Sequence, residues 1–164
     1  MPPFAVNPHR FDPYKHLRFQ VVWDGSVVAD VSRVGGLRRR TEVVVHRDGN
    51  EPSVQRRSPG KTVFEPIVLE RGRTHDAAFE DWAALVFALG GEMSLRNFRK
   101  DVVIRLLNEA GTVTMAFNVY RCWPSEYVAL AEMDANGHGV AFESLILEHE
   151  GWERDRSVTE PAET

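Results

Sequence analysis

Gly60-Lys61-Thr62 is the tripeptide that ends a phosphate-binding loop, so nucleotide binding is the first chemistry to test in this chain of 164 residues. Such a loop needs a second glycine five positions earlier, because two glycines let successive backbone N–H groups curl around the phosphates. That position holds Gln55. The loop must also open a helix, whose N-terminus adds its dipole to phosphate binding. Here Val63-Phe64-Glu65-Pro66-Ile67-Val68-Leu69-Glu70 follows, a β-branched, alternating run that reads as a strand. The tripeptide therefore needs another explanation.

Other reactive types are scattered. His9, His16, His46, His75, His138 and His149 show none of the close spacings that mark a metal site, and His149-Glu150 lacks the second histidine of a zinc protease motif. Asp134-Ala135-Asn136-Gly137-His138-Gly139 lacks the ligand series and distal glutamate of a calcium loop and reads as a turn. No G-x-S-x-G elbow occurs. Cys122, between Arg121 and Trp123 in a strand pattern, reads as a small core residue, since an arginine neighbour alone does not make a nucleophile. Glu65, Glu70, Glu143 and Glu148 could pair inside a barrel for acid–base work, but solvated strand positions account for them with fewer assumptions. No catalytic constellation emerges, and the expectation is a non-enzyme without metal or cofactor.

The elements that carry these residues suit one domain. The length allows a single substantial core, 43% of residues are apolar and 27% charged, and no run approaches a membrane span. One cysteine suits a reducing compartment, and the first ten residues lack the basic and apolar regions of a secretory signal, so cytoplasmic assembly is expected. The net charge of −4 hides an asymmetry: Arg38-Arg39-Arg40, Arg47, Arg56-Arg57, Lys61, Arg71 and Arg73 crowd the first half, and carboxylates dominate from Glu126 onward. Either nucleic-acid binding or complementary faces that meet between copies would use that pattern. No interleaving of aromatic and basic residues supports the former.

Residues 1–14, with four prolines, read as an extended arm, 15–152 as one β domain, and 153–164 as a flexible polar tail. Strands are expected at 17–23 and 27–31, joined by Trp23-Asp24-Gly25-Ser26, then at 40–47 and 63–70. Between the last two, 46–61 has no apolar face and reads as a long loop. Phe79, Trp82, Leu85, Val86 and Leu89 recur at helical spacing, predicting one helix at about 74–90, capped from Thr74-His75-Asp76 and stopped by Gly90-Gly91. Residues 101–107 and 112–122 form a hairpin around Asn108-Glu109-Ala110-Gly111, with Val113, Met115, Phe117 and Val119 on one face. In 139–148, Val140 and Phe142 share one parity, Leu145 and Leu147 the other, which predicts a β-bulge near Glu143 and Ser144. The fold class is mainly β: an antiparallel β-sandwich or partly closed barrel with one flanking helix.

An ordered series of segments resembles phage tail tube proteins. It opens with Phe19-Gln20-Val21-Val22-Trp23-Asp24-Gly25, Val34-Gly35-Gly36-Leu37 and Glu42-Val43-Val44-Val45-His46-Arg47-Asp48-Gly49-Asn50. It continues with Ser58-Pro59-Gly60-Lys61-Thr62, Ile67-Val68-Leu69-Glu70-Arg71-Gly72, Phe117-Asn118-Val119-Tyr120-Arg121-Cys122-Trp123-Pro124 and Leu147-Glu148-His149-Glu150-Gly151-Trp152-Glu153. The set is similar to the inner-tube proteins of contractile phage tails and of phage-tail-like extracellular contractile injection systems, with the tube initiator that joins tube to baseplate as a neighbouring class.

The resemblance implies six-fold rings that stack into a hollow tube inside a contractile sheath. Its implied partners are copies of itself, the sheath, the baseplate and the tube terminator, with cargo possible in the lumen, and neither membrane insertion nor specific nucleic acid is expected outside a true phage tail. It also implies that 46–61 is an assembly loop, which makes His46, Arg47, Asp48, Asn50, Arg56, Arg57, Gly60 and Lys61 candidate contacts between copies. With Ile67, Leu69, Phe117 and Val119 in the core, alternation places Val68, Glu70, Asn118 and Tyr120 as candidate lumen-facing residues. A soluble small-ligand-binding β-barrel is the alternative from another class.

Overall fold

The computed structural model describes residues 18–28, 31–47, 49–50, 53–91, 96–137 and 139–161. The expected arm at 1–14, Asp48 and His138 lie outside the described residues. β1 (Arg18–Trp23) turns into β2 (Ser26–Val27) through Asp24 and Gly25, at φ 53° and 74°. Two successive left-handed residues give the tight turn whose twist matches paired strands. β3 (Val31–Val34) is a separate strand rather than a continuation of β2. β4 (Arg39–Arg47) and β5 (Gln55–Phe64) precede β6 (Ile67–Gly72), so the expected strand at 63–70 is broken at Glu65-Pro66.

The helix α1 is shorter than its apolar spacing predicted, spanning Ala78–Val86. Asp76 Oδ1 accepts the Ala78 N–H at 2.8 Å, and Glu80 and Asp81 lie in the first turn, where negative charge complements the dipole. Phe79 and Trp82 are buried, but Leu89 is 95% exposed beyond the helix end. Its helical spacing was coincidental.

β7 (Lys100–Leu107) and β8 (Val113–Val128) form the expected hairpin. The Gly111 N–H donates to Asn108 O at 3.0 Å, with Gly111 at φ 81°. β8 is the spine of the fold. It pairs with β7 along 113–122, with β10 (Gly151–Arg154) along 117–120, and with β9 (Phe142–Glu148) along 123–128. The eight-stranded antiparallel sheet runs β2-β1-β7-β8-β9-β6-β3 with β10 also on β8. Its end strands do not pair among the described residues, so the sheet bends into a sandwich without closing as a barrel.

The two parts of the sheet and α1 enclose one core. Val21, Val102 and Ile104 meet Ile67, Leu69, Leu145 and Leu147, with Phe79 and Trp82 from the helix. Trp23 lies 4.7 Å from Trp82 between ring centroids, an aromatic contact that ties the first hairpin to α1.

Three details differ from the sequence expectation. The face of β8 changes along its length: Thr114, Ala116, Val119, Cys122 and Pro124 are buried, whereas Val113, Met115 and Phe117 are half-buried. The irregularity includes Arg121 at φ 51°, whose N–H donates to Asp101 Oδ1 at 2.9 Å. The bulge expected near Glu143 and Ser144 is absent: β9 alternates regularly with Glu143, Leu145 and Leu147 all buried, and the register shift falls on β8 between Pro124 and Glu126. Glu153 and Arg154, read as tail from their polarity, pair with Asn118 and Phe117 in β10.

Candidate assembly surface

The segment 46–61 is not a loop. Most of it belongs to β4 and β5, which form a separate two-stranded sheet from Arg39↔Phe64 to Arg47↔Gln55. The nine residues of β4 reach roughly 30 Å at about 3.3 Å per residue. Neither strand pairs with the main sheet, and nearly every side chain is exposed. An isolated two-stranded hairpin is marginal in water, because it has no buried face and two open edges.

The ladder nevertheless has defined local chemistry. Thr41 and Thr62 hydroxyls lie 2.9 Å apart across the strands, and His46 Nε2 lies 3.0 Å from Ser58 Oγ. The register shifts between Thr41 and Val43, opposite Gly60-Lys61. A Cβ on Gly60 would lie 2.9 Å from Val44 Cγ2, so this bulged position selects glycine for close strand approach. Backbone geometry thus explains the glycine of the phosphate-loop-like tripeptide, which lies in a strand and opens no helix.

Of the predicted assembly residues, His46, Arg47, Arg56, Arg57, Gly60 and Lys61 lie on the two strands and Asn50 lies at the tip. The strands carry Arg39, Arg40, Arg47, Arg56, Arg57 and Lys61 against the single acid Glu42. Val43 and Val45 are exposed on one face, with Pro59 and Arg57 opposite them. Arginines and valines interleave on a surface with no core of its own.

At the root, Phe64 packs 5.8 Å from His149 and 6.3 Å from Trp152, and the Arg39 guanidinium lies 5.9 Å above Trp152. His149 Nε2 is 2.8 Å from Glu65 O, so Nε2 carries the donated proton. The Glu65 N–H donates to Arg38 O at 3.1 Å. These contacts fix where the hairpin leaves the domain. Sequence reading missed this cluster because Phe64, His149 and Trp152 lie on three different segments.

Val68 and Glu70 alternate with buried Ile67 and Leu69, as parity required. Glu70 accepts from Arg33 at 3.4 Å. Asn118 and Tyr120 likewise flank buried Val119, and the Tyr120 O–H donates to Glu153 Oε1 at 2.5 Å. That bond, with desolvation a smaller cause, raises the phenol's pKa.

A second polar group escaped notice in the sequence. Arg71 and Glu143 are both fully buried, with Arg71 Nε donating to Glu143 Oε1 at 2.5 Å. Arg73 also donates to Glu143, and the Tyr127 O–H donates to the same carboxylate at 3.2 Å. Arg71 Nη2 reaches Asp76 O at 2.6 Å, and its guanidinium lies 4.3 Å above Phe79. The network joins β6, β9, β8 and the start of α1. Its signal was Glu143 at core parity, which the sequence reading interpreted as a bulge.

Cys122 is fully buried, and burial pushes its thiol up to about 12. The thiolate is the reactive form, so a maleimide or disulfide reagent at neutral pH should label the folded chain negligibly within an hour and completely in denaturant. Equal rates in both states would contradict this placement. Among the described residues no group of three potential ligands is arranged to hold a metal, and no helix is long and apolar enough to cross a membrane.

Chains of the same fold occur in solved cap, sheath–tube and baseplate structures. A chain in the cryo-EM structure of the anti-feeding prophage cap, a tube-terminating cap, superposes with a TM-score of 0.74 at 23% identity, covering 94% of this chain and 99% of that one. A chain of the sheath–tube complex of the extracellular contractile injection system PVC in its extended state gives 0.71 at 23%, covering 87% and 91%. A chain of the six-fold symmetrised anti-feeding prophage baseplate gives 0.69 at 22%, covering 89% and 95%. These are likenesses of fold. No curated protein matches the chain. The family model for the T4-like virus tail tube protein gp19 matches residues 15–153, nearly the whole of the described fold, and the chain belongs to that tail tube family.

Proposed function

We propose that this chain is the subunit of the inner tube of a contractile, phage-tail-like injection particle, with copies joining in six-membered rings that stack into a hollow conduit. The observation that carries the reading is the β4–β5 hairpin, which extends from the domain with both faces exposed. A neighbouring copy supplies the surface that such a hairpin lacks. The open ends of the main sheet at β2 and β3 supply a second motive, because edge-to-edge joining in a closed ring satisfies unpaired N–H and C=O groups.

In this reading Val68, Glu70, Asn118 and Tyr120 face the lumen, and His46, Arg47, Asp48, Asn50, Arg56, Arg57, Gly60 and Lys61 belong to contacts between copies. Sheath, baseplate and tube terminator are the partners, with assembly in the cytoplasm and cargo held in the channel. The tube needs rigidity and self-recognition, and it makes and breaks no covalent bond.

Negative-stain electron microscopy of the purified protein over a concentration series tests the proposal. Six-fold rings and stacked hollow tubes are expected. A second reading is favoured by the similarity to the tube-terminating cap and to the baseplate: a terminal ring, or an initiator joined to the baseplate, would form single rings that never elongate. A monomer at every concentration, even when supplied with a baseplate template, would overturn both.

A further inference from the structure

The β4–β5 hairpin and a second exposed apolar surface lie at opposite ends of the same part of the sheet. β6 and β9 pair from Ile67↔Leu147 to Gly72↔Phe142, and β8 and β9 from Trp123↔Glu148 to Val128↔Ser144. The hairpin is rooted at the first end, since only Glu65 and Pro66 separate Phe64 from Ile67 and His149 bonds Glu65. The connection from β8 to β9, residues 129–141, lies at the second end, roughly 17 Å away along six residues of strand. The root of the hairpin therefore lies at the end of this sheet opposite its own chain's β8–β9 connection.

The two surfaces are complementary. Leu130, Met133, Val140 and Phe142 are 41–68% exposed around the connection, and Val43 and Val45 are similarly exposed on the hairpin. From 126 to 142 the sequence contains Glu126, Glu132 and Asp134 and neither lysine nor arginine. On the hairpin, Arg40, Arg47, Arg57 and Lys61 form no salt bridge with any other described residue. Apolar side chains set among mainly basic charge on the hairpin, where Glu42 is the one acid of the two strands, match apolar side chains set among acids on the connection. Exposed apolar patches of this kind mark association surfaces, and opposite potentials fix partner and register.

We infer that the hairpin of one copy docks on the β8–β9 connection of a second copy. Val43 and Val45 lie against Leu130, Met133 and Phe142, and Arg47 and Arg57 meet Glu132 and Asp134. The contact is heterologous: each copy presents a hairpin at one end and an acceptor at the other, which propagates to further copies instead of ending at a dimer. This inference rests on the tube reading and names the acceptor within it.

The test is photo-crosslinking in assembled particles. A benzophenone amino acid at Val45, in the full chain, is expected to yield a dimer whose crosslinked peptide maps within residues 126–142, with mixed isotope labelling showing that the two peptides come from different copies. In parallel, Arg47→Glu with Arg57→Glu should reduce stacked tubes at least tenfold, and adding Glu132→Arg with Asp134→Arg to the same chain should restore them. All four positions are exposed, and an unchanged Tm would show that each variant folds. Crosslinks mapping elsewhere, or charge reversal without rescue, would overturn the acceptor while leaving the tube reading intact. If the wild type fails to associate even with a baseplate template, the tube reading fails, and the docking with it.

Discussion

Glu143→Leu is expected to lower stability by about 3–5 kcal/mol, because breaking a buried ion pair strips a buried charge of its closest counter-ion. Here the partner is Arg71, fully buried, and the lost carboxylate also serves Arg73 and Tyr127. Arg71 keeps Asp76, whose carbonyl accepts at 2.6 Å and whose carboxylate lies 3.6 Å away, but that carboxylate is 41% exposed and more distant than Glu143, so it offsets only part of the lost pairing. In a chain of this size the loss corresponds to a fall in Tm of roughly 6–20 °C. Urea unfolding followed by tryptophan fluorescence measures it, with Trp23 and Trp82 both in the core. The double variant Arg71→Met with Glu143→Leu should recover most of the loss, since apolar residues of similar volume often replace a buried pair without net cost. A single variant within 1 kcal/mol of the wild type would show that the pair contributes little to the folded state.

Shortening the hairpin should have the opposite signature, with a large effect on assembly and a small one on folding. Thr41 and Thr62 are directly paired, so replacing residues 42–61 by Asn-Gly closes the ladder with a two-residue turn suited to that geometry. None of the described residues in the removed segment belongs to the core, and they include the exposed Val43, Val45 and Val54. The retained base keeps Phe64 against His149 and Trp152. The expected variant melts within a few degrees of the wild type and forms no stacked tubes at concentrations where the wild type does. Sedimentation and electron microscopy read the outcome together. Normal tubes from this variant would remove the hairpin from the assembly mechanism.

These two predictions concern the regions where the sequence was hardest to read. Turns with local determinants were legible: Asp24-Gly25 and Asn108-Gly111 specify their backbone through left-handed residues and nearby hydrogen bonds. The core parity of β6 was legible because Ile67 and Leu69 are buried in the apolar core while Val68 and Glu70 are only half-buried. β4 matches the strand expected at 40–47, but most of β5 falls within the expected loop, because alternation records burial of one face and this hairpin buries neither. Pro59 and Gly60 strengthened that reading, although an exposed bulged strand accommodates both.

Glu143 failed for the converse reason. It follows the core parity of Leu145 and Leu147, but a carboxylate there looked like a change of phase until Arg71 and Arg73 were placed beside it. The partners are about 70 residues distant in sequence, beyond any local pattern. The predicted assembly positions of the described chain were brought together on the hairpin, though their conformation was misread. Family resemblance supplied the grouping; the physical reason for Gly60 needed the cross-strand approach to Val44.

The continuous β8 strand also has a mechanical consequence. Its 16 residues are gripped in succession by β7, β10 and β9. Tension applied along it loads those ladders in shear, so many hydrogen bonds must yield together, whereas a strand peeled from an edge loses them one at a time. That arrangement makes the central strand the one most resistant to a pull along its own axis and leaves the short β2 and β3 edges the first to give way under a sideways pull.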